Sequence, residues 1–410
     1  MSVGASAIGG RLRAARVWPE SVRAAVVPGG AFLASRLLVL VAGVVGVLTT
    51  NKHDGTSAAR TLHALGPVGN ALAGSVDRFD APYYLAIAEH GFGPTSSGKL
   101  AFFPLYPLLI RGVSVFTGSP VIAGVIVSAA SFLVALILLH RLTALELGAR
   151  AADATVLVLA FAPLSFFFTA IYTESLFLVL SVATVLAART GRWRLACALG
   201  ALATLSRPTG LLLGVALVVM RVRSRGGLDR GLAGVLALPA ALLGYLALLH
   251  ADGYPWLGVF AAQHKWHRVT AGPITGVATA LWSAIRGMAR IAAGAPVYHP
   301  SLKGPFPQGA ESIVLLVVLV VACVALVGCL RRLPLEYGAY AGAVILMCLS
   351  TPEIGQPLWS FDRFTLTIFP LWMAAGAWLA RRRLVIPAVA AGALLLVFYT
   401  VQFSSWAFVA

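Results

Sequence analysis

Long apolar runs broken by short basic clusters form the dominant pattern along this chain. Ala31 to Leu48, Val121 to Leu139, Ser312 to Leu330 and Leu384 to Phe398 are nearly free of charge and reach or approach the roughly 20 residues that an α-helix needs to span a bilayer. Arginine clusters at 11–23, 141–150, 189–194, 221–230, 331–332 and 381–383 lie between such runs. Short basic loops resist translocation, so all six are expected on the cytoplasmic side. The path that follows sends helix 1 (31–49) out, 120–140 back, 152–170 out and 175–189 back. Then 231–250 exits, 311–330 returns, 335–350 exits, 364–380 returns and 384–402 exits. Between Arg194 and Arg221 there is too little chain for two full spans at about 1.5 Å per residue. Its centre, Ser206-Arg207-Pro208-Thr209-Gly210, therefore predicts a broken hairpin whose irregular turn is buried in protein or lines a cavity. The expectation is an all-α integral membrane protein of about 11 hydrophobic helices.

The domain reading is a cytoplasmic segment over 1–29, a polytopic unit over 30–402 and a C-terminal tail over 403–410 placed outside. Two long loops, 51–119 and 251–310, are expected to be extracytoplasmic. In the first, Phe102 to Phe116 is apolar but holds Pro104, Pro107 and Arg111, and reads as a helix lying at the interface. A shorter helix is predicted from Pro82, with Asp80 as its N-cap and Gly91 as its stop.

Composition agrees with the pattern. Of 410 residues, 59% are hydrophobic and 11% charged, against roughly 45–50% and 25% in soluble domains. The net charge of +17 does not imply nucleic acid, because the basic residues are dispersed between apolar runs rather than gathered on one face. Cys197, Cys323, Cys329 and Cys348 sit inside apolar stretches without ligand spacing, so they read as small packing residues. The first apolar run is too long for a signal peptide, so it is expected to be retained with the N-terminus in the cytoplasm. The expected location is the inner (plasma) membrane, in multiple passes.

Carboxylates near hydrocarbon are costly and each needs a reason. Asp77, Asp80 and Glu89 fall in the first outer loop, Glu174 after a helix in Tyr172-Thr173-Glu174-Ser175, and Asp362 before another. One reading makes Asp80 a cap only, with Asp77 as a partner for Arg78; in the other, a carboxylate at the membrane edge beside aromatic rings suits a general base. Thr173 and Glu174 can likewise simply open a helix. Arg207, at the hairpin turn, wants an anion, and phosphate is a natural bidentate partner. Asp362 and Arg363 read as a local ion pair. His90, His264 and His267 lack an acidic cluster at ligand spacing, so no metal site is assigned; a divalent metal is compatible with the chemistry without being indicated.

Phe79-Asp80-Ala81-Pro82-Tyr83-Tyr84 with Gly91-Phe92, then Ala101-Phe102-Phe103-Pro104-Leu105-Tyr106-Pro107-Leu108, then Tyr172-Thr173-Glu174-Ser175-Leu176-Phe177, then Ser206-Arg207-Pro208-Thr209-Gly210, resemble the PIG-V-like mannosyltransferases. Those include the enzyme that adds the second mannose of GPI anchors and many bacterial relatives. Arg363-Phe364 and Phe369-Pro370-Leu371 match the family more loosely, and Phe79 stands where it usually has Trp. The resemblance implies the GT-C glycosyltransferase fold, with interfacial helices in the first outer loop. It also implies inverting transfer of mannose from polyprenyl-phosphate-mannose to a lipid-linked or glycan acceptor on the extracytoplasmic side. On that reading Asp80 is the base, with Asp77 and Glu174 as further catalytic candidates. Arg207 and Arg363 hold the donor phosphate, and Tyr83, Tyr84, His90, Tyr106, Tyr172 and Thr209 line the substrate pocket. No Gly-rich nucleotide loop appears, which favours a lipid-linked donor over a sugar nucleotide. The rival readings are a lipid or anionic-solute transporter or flippase, and an inactive relative acting as an assembly partner.

Overall fold

The computed structural model describes residues 20–49, 65–93, 98–225, 230–298, 306–407 and 409. The remaining parts of the expected N-terminal segment, outer loops and tail lie outside the described residues. In chain order the helices are α1 (Glu20–Thr49), α2 (Gly66–Ala73), α3 (Ala81–His90), α4 (Leu105–Thr117), α5 (Pro120–Leu147), α6 (Ala149–Ala160), α7 (Glu174–Arg189), α8 (Trp193–Ser206) and α9 (Leu213–Arg225). They continue as α10 (Ala237–Ala251), α11 (Gly258–Ala261), α12 (Pro273–Ala292), α13 (Gln308–Arg332), α14 (Leu335–Ser350), α15 (Phe361–Thr365), α16 (Phe369–Arg382) and α17 (Val385–Ser404). Among the described residues, five segments are long and apolar enough to cross a membrane: Arg23–Thr49, Pro120–Leu147, Gly231–Ala251, Gln308–Arg332 and Val385–Ser404. The chain is a helical, multi-pass membrane protein.

Three expected elements are corrected. The span read at 152–170 is the 12-residue α6, only about 18 Å long at 1.5 Å per residue. Pro163 follows it, and the chain then tightens into a buried 3-10 turn, Ser165–Phe168. Proline removes a backbone donor and resists helical continuation, which explains the early stop. Similarly, 364–380 is split into α15 and α16 just before Pro370. The segment 251–310, expected as a long outer loop, contains the 20-residue α12. One face of α12 carries small residues against α13 and α14: a Cβ at Gly276 would meet the Leu349 carbonyl oxygen at 1.9 Å, and one at Gly287 would meet Gly309 Cα at 2.3 Å. The opposite face exposes Ile274, Leu281, Trp282, Ile285 and Met288.

The hairpin at 194–221 forms as α8 and α9 joined by the 3-10 turn Pro208–Leu212. Gly210 lets that turn press onto α8, since a Cβ there would stand 2.4 Å from the Ala203 carbonyl carbon and the Thr204 nitrogen. Basic helix ends are tied together at one end of the bundle. Glu146 of α5 accepts from Arg189 Nε of α7 at 2.6 Å and from the Tyr337 hydroxyl of α14 at 2.9 Å. Asp153 of α6 accepts from Arg23 of α1 and lies 2.9 Å from His140 Nε2 of α5. The other end holds the start of α3, the start of α7, the α8–α9 turn and α15.

Candidate active site

Asp80 sits at the head of α3, where Pro occupies the first turn and Gly91, at φ +73°, ends the helix. Its side chain makes no capping bond. Instead Oδ2 accepts from Arg363 Nη1 at 2.8 Å, across 283 positions of sequence. Its backbone is pinned by Tyr172: the hydroxyl accepts from the Asp80 N–H at 3.0 Å and donates to the Arg78 carbonyl at 3.1 Å. Phe79, in the left-handed region at φ +52°, is packed against Phe403 and Trp406 at 5.4 and 5.5 Å. A non-glycine residue there is strained, and it is held by surrounding packing.

Glu174, first residue of α7, lies between two arginines. Its Oε1 accepts from Arg207 Nη1 at 3.0 Å and stands 3.5 Å from Arg363 Nε. Asp80, Arg363, Glu174 and Arg207 thus form a ladder of alternating charge. Phe364 supports it, with the guanidinium carbons of Arg207, Arg268 and Arg363 at 5.1, 5.3 and 5.5 Å from its ring centre, a cation–π arrangement. The expected local pair at 362–363 is therefore corrected: Asp362 Oδ1 accepts the Arg363 backbone N–H at 2.8 Å, while the guanidinium turns to Asp80 and Glu174.

A cavity of about 760 Å³ opens on this ladder, and Asp80, Arg207, Thr209 and Arg363 line it. Side-chain exposure separates the two acids: Asp80 is 22% exposed, Glu174 only 1%. Tyr83, Tyr84 and Tyr172 also line the cavity, with Tyr83 stacked on Phe102 at 5.0 Å. Burial, then the Asp80 charge, raises the Tyr83 phenol above its ordinary range. Other sequence candidates lie elsewhere. Asp77 is fully buried and outside the lining. Tyr106 is buried behind Tyr84, its hydroxyl 2.6 Å from Ser128 Oγ. His90 is exposed at the end of α3, 3.9 Å from Glu89, and does not line the cavity.

A further part of the cavity wall was not anticipated from sequence. His264, Lys265, Trp266, His267 and Arg268 line it, together with Glu353 and Trp359. An isolated antiparallel bridge joins Arg268 to Glu353. Arg268 donates to the carbonyls of Thr351 and Trp359 at 3.4 and 3.3 Å. Burial pushes the Glu353 carboxyl up to about 7, with Arg268 opposing the shift. The only advance signal was the run of His, Lys and Arg at 264–268, in a loop with no partner visible in sequence. Among the described residues no three His, Cys, Asp or Glu side chains gather in a metal-like group.

A family model described as Mannosyltransferase (PIG-V) matches residues 66–224. That segment resembles the PIG-V mannosyltransferases. It contains Asp80, Glu174 and Arg207, but ends before Arg268 and Arg363. No match to a curated protein was found. Among solved structures, the chain is similar to ArnT from Cupriavidus metallidurans bound to undecaprenyl phosphate, at 18% identity and a TM-score of 0.39, over 90% of this chain and 76% of that one. The apo form of the same protein gives 20% identity with the same coverage and TM-score.

Proposed function

We propose that this chain is a membrane glycosyltransferase of the GT-C type. It moves a mannosyl residue from polyprenyl-phosphate-mannose to a lipid-linked or glycan acceptor on the extracytoplasmic side, with inversion. The observation that carries this reading is Asp80: a partly exposed carboxylate in a large cavity, one oxygen bonded to Arg363, within the segment that matches the PIG-V family. With Oδ2 engaged, Oδ1 is the oxygen that takes the proton of the acceptor hydroxyl. The hydroxyl oxygen attacks C1 of the sugar, the bond from C1 to the phosphate oxygen breaks, and its electron pair leaves with the lipid phosphate.

The departing phosphate gains a negative charge, which must be met by cations in place before the reaction. Arg207 and Arg363 face it, yet Asp80 and Glu174 offset their two charges. Lys265 and Arg268, which also line the cavity, add further positive charge, offset in part by Glu353 beside Arg268. Glu174 is too buried to meet a substrate; its role is to position the two arginines. Asp77, fully buried, is the structural neighbour rather than the base.

The test is Asp80→Asn, which keeps shape and bulk. Turnover should fall by about 10²–10⁴, with yield and melting temperature near those of the parent. Asp77→Asn is the control, expected to affect folding before chemistry. Near-normal transfer by Asp80→Asn would reject the assignment.

A further inference from the structure

A second, smaller cavity lies beside the outer end of α13. Its volume is about 40 Å³, room for roughly three water-sized spheres at about 10–15 Å³ each. Glu311 of α13, Gln356 and Ser360 of the preceding loop, and Asp362 of α15 line it, with Tyr399 of α17 closing one side. Gln356 is 5% exposed and donates from Nε2 to Glu311 Oε2 at 3.3 Å, while its own Oε1 is buried with no hydrogen-bond partner. Among the described residues, neither Glu311 nor Asp362 has a Lys, Arg or His within ion-pair distance; the nearest guanidinium in sequence, Arg363, is committed to Asp80 and Glu174. Two carboxylates, an orphaned amide oxygen and the Ser360 hydroxyl thus share one small cavity whose remaining wall, Phe306, Val314, Leu315, Trp359, Tyr399 and Val409, offers no cation. Each carboxylate is met by one neutral donor, the Gln356 amide or the Arg363 backbone N–H, and a partly or fully buried charge that no cation meets is costly.

We propose that Glu311, Asp362 and Gln356 Oε1 bind a divalent, oxygen-preferring cation of the Mg²⁺, Ca²⁺ or Mn²⁺ class. Hard cations of this class take carboxylate, amide and water oxygens, and one such ion balances the two negative charges. Its role is positional. It ties the loop that carries Gln356 and Ser360 to the end of α13, and so sets the start of α15, where Arg363 reaches into the active site. No reacting atom touches it. The proposal stands apart from the glycosyltransferase reading, because it concerns binding and not transfer.

The probe is Mn²⁺ itself, added to chelator-treated full-length protein in phosphatidylcholine nanodiscs and followed by paramagnetic resonance alongside thermal unfolding. One Mn²⁺ should bind per chain and raise the melting temperature, with Mg²⁺ or Ca²⁺ competing. Glu311→Gln and Asp362→Asn should each weaken binding about ten-fold or more, on the scale seen when metal-site partners are removed. Gln356→Glu adds an anionic ligand and should tighten it, a gain that general misfolding would not produce. Arg192→Gln, at an exposed residue away from both cavities, should bind as the parent does. Absence of bound Mn²⁺, parent-like affinity in both carboxylate variants, or loss of binding in Arg192→Gln would overturn the proposal.

Discussion

Glu174 is the buried joint of the charge ladder, and its removal should be felt by both arginines. At an effective dielectric of about 20, its attraction to Arg207 over 3.0 Å is about 5.5 kcal/mol, and to Arg363 over 3.5 Å about 4.7 kcal/mol, before desolvation is counted. Desolvation consumes much of this, and breaking a buried pair by deleting one partner costs a net of about 3–5 kcal/mol. Glu174→Ala should therefore be strongly destabilised. Glu174→Gln keeps an oxygen for Arg207 and loses only charge assistance, about 1 kcal/mol per bond. The assay is thermal unfolding in nanodiscs for both variants, together with a double-mutant cycle between Glu174→Gln and Arg207→Gln. A coupling of about 0.5–3 kcal/mol is expected for residues in one network. Glu174→Ala melting with the parent protein, or no measurable coupling in the cycle, would refute the ladder as a structural unit.

Three further expectations follow from the same geometry. Tyr172→Phe removes the bond to the Asp80 N–H and the one to the Arg78 carbonyl, each worth about 0.5–1.5 kcal/mol, so transfer rate should fall while Tyr83 and Tyr84 still bind substrate; unchanged kcat would show that the hydroxyl does not orient Asp80. Exposed cysteines at Lys265 and Ile354 should react with an impermeant reagent from outside the cell, and those at Arg192 and Arg331 should not, in a background lacking native cysteines; the reverse pattern would invert the topology. Glu353 has a folded pKa of about 7 against an ordinary 4.5, so its stabilising contribution is fully present below about 4.5 and lost as pH rises through 7; Glu353→Gln should flatten the stability profile across that window, and an unaltered profile would remove Glu353 as its source.

Sequence patterns reached the fold where local chemistry is decisive. Pro82 and Gly91 bound α3, and the shortness of 194–221 with Arg207 to Gly210 at its centre required a hairpin. They failed where tertiary packing overrides composition. Pro163 cuts 152–170 short, and α12 hides in a loop because its small-residue face makes sense only against α13 and α14. At the site, Asp80 read equally as cap or base. Its side chain makes no capping bond and turns instead to Arg363, 283 positions away, and nothing local to either residue announces that pairing. Arg363 in turn looked like a partner for adjacent Asp362. The basic wall from His264 to Arg268 was invisible for the same reason: its meaning comes from what it faces.

The most direct test of the central claim offers the purified protein, reconstituted in lipid, labelled polyprenyl-phosphate-mannose or labelled GDP-mannose with candidate glycolipid and glycan acceptors. The account predicts transfer of label from the lipid-linked donor alone, at the extracytoplasmic face, and its loss in Asp80→Asn. Transfer from GDP-mannose, or movement of intact donor lipid across the bilayer without any glycosyl transfer, would contradict it.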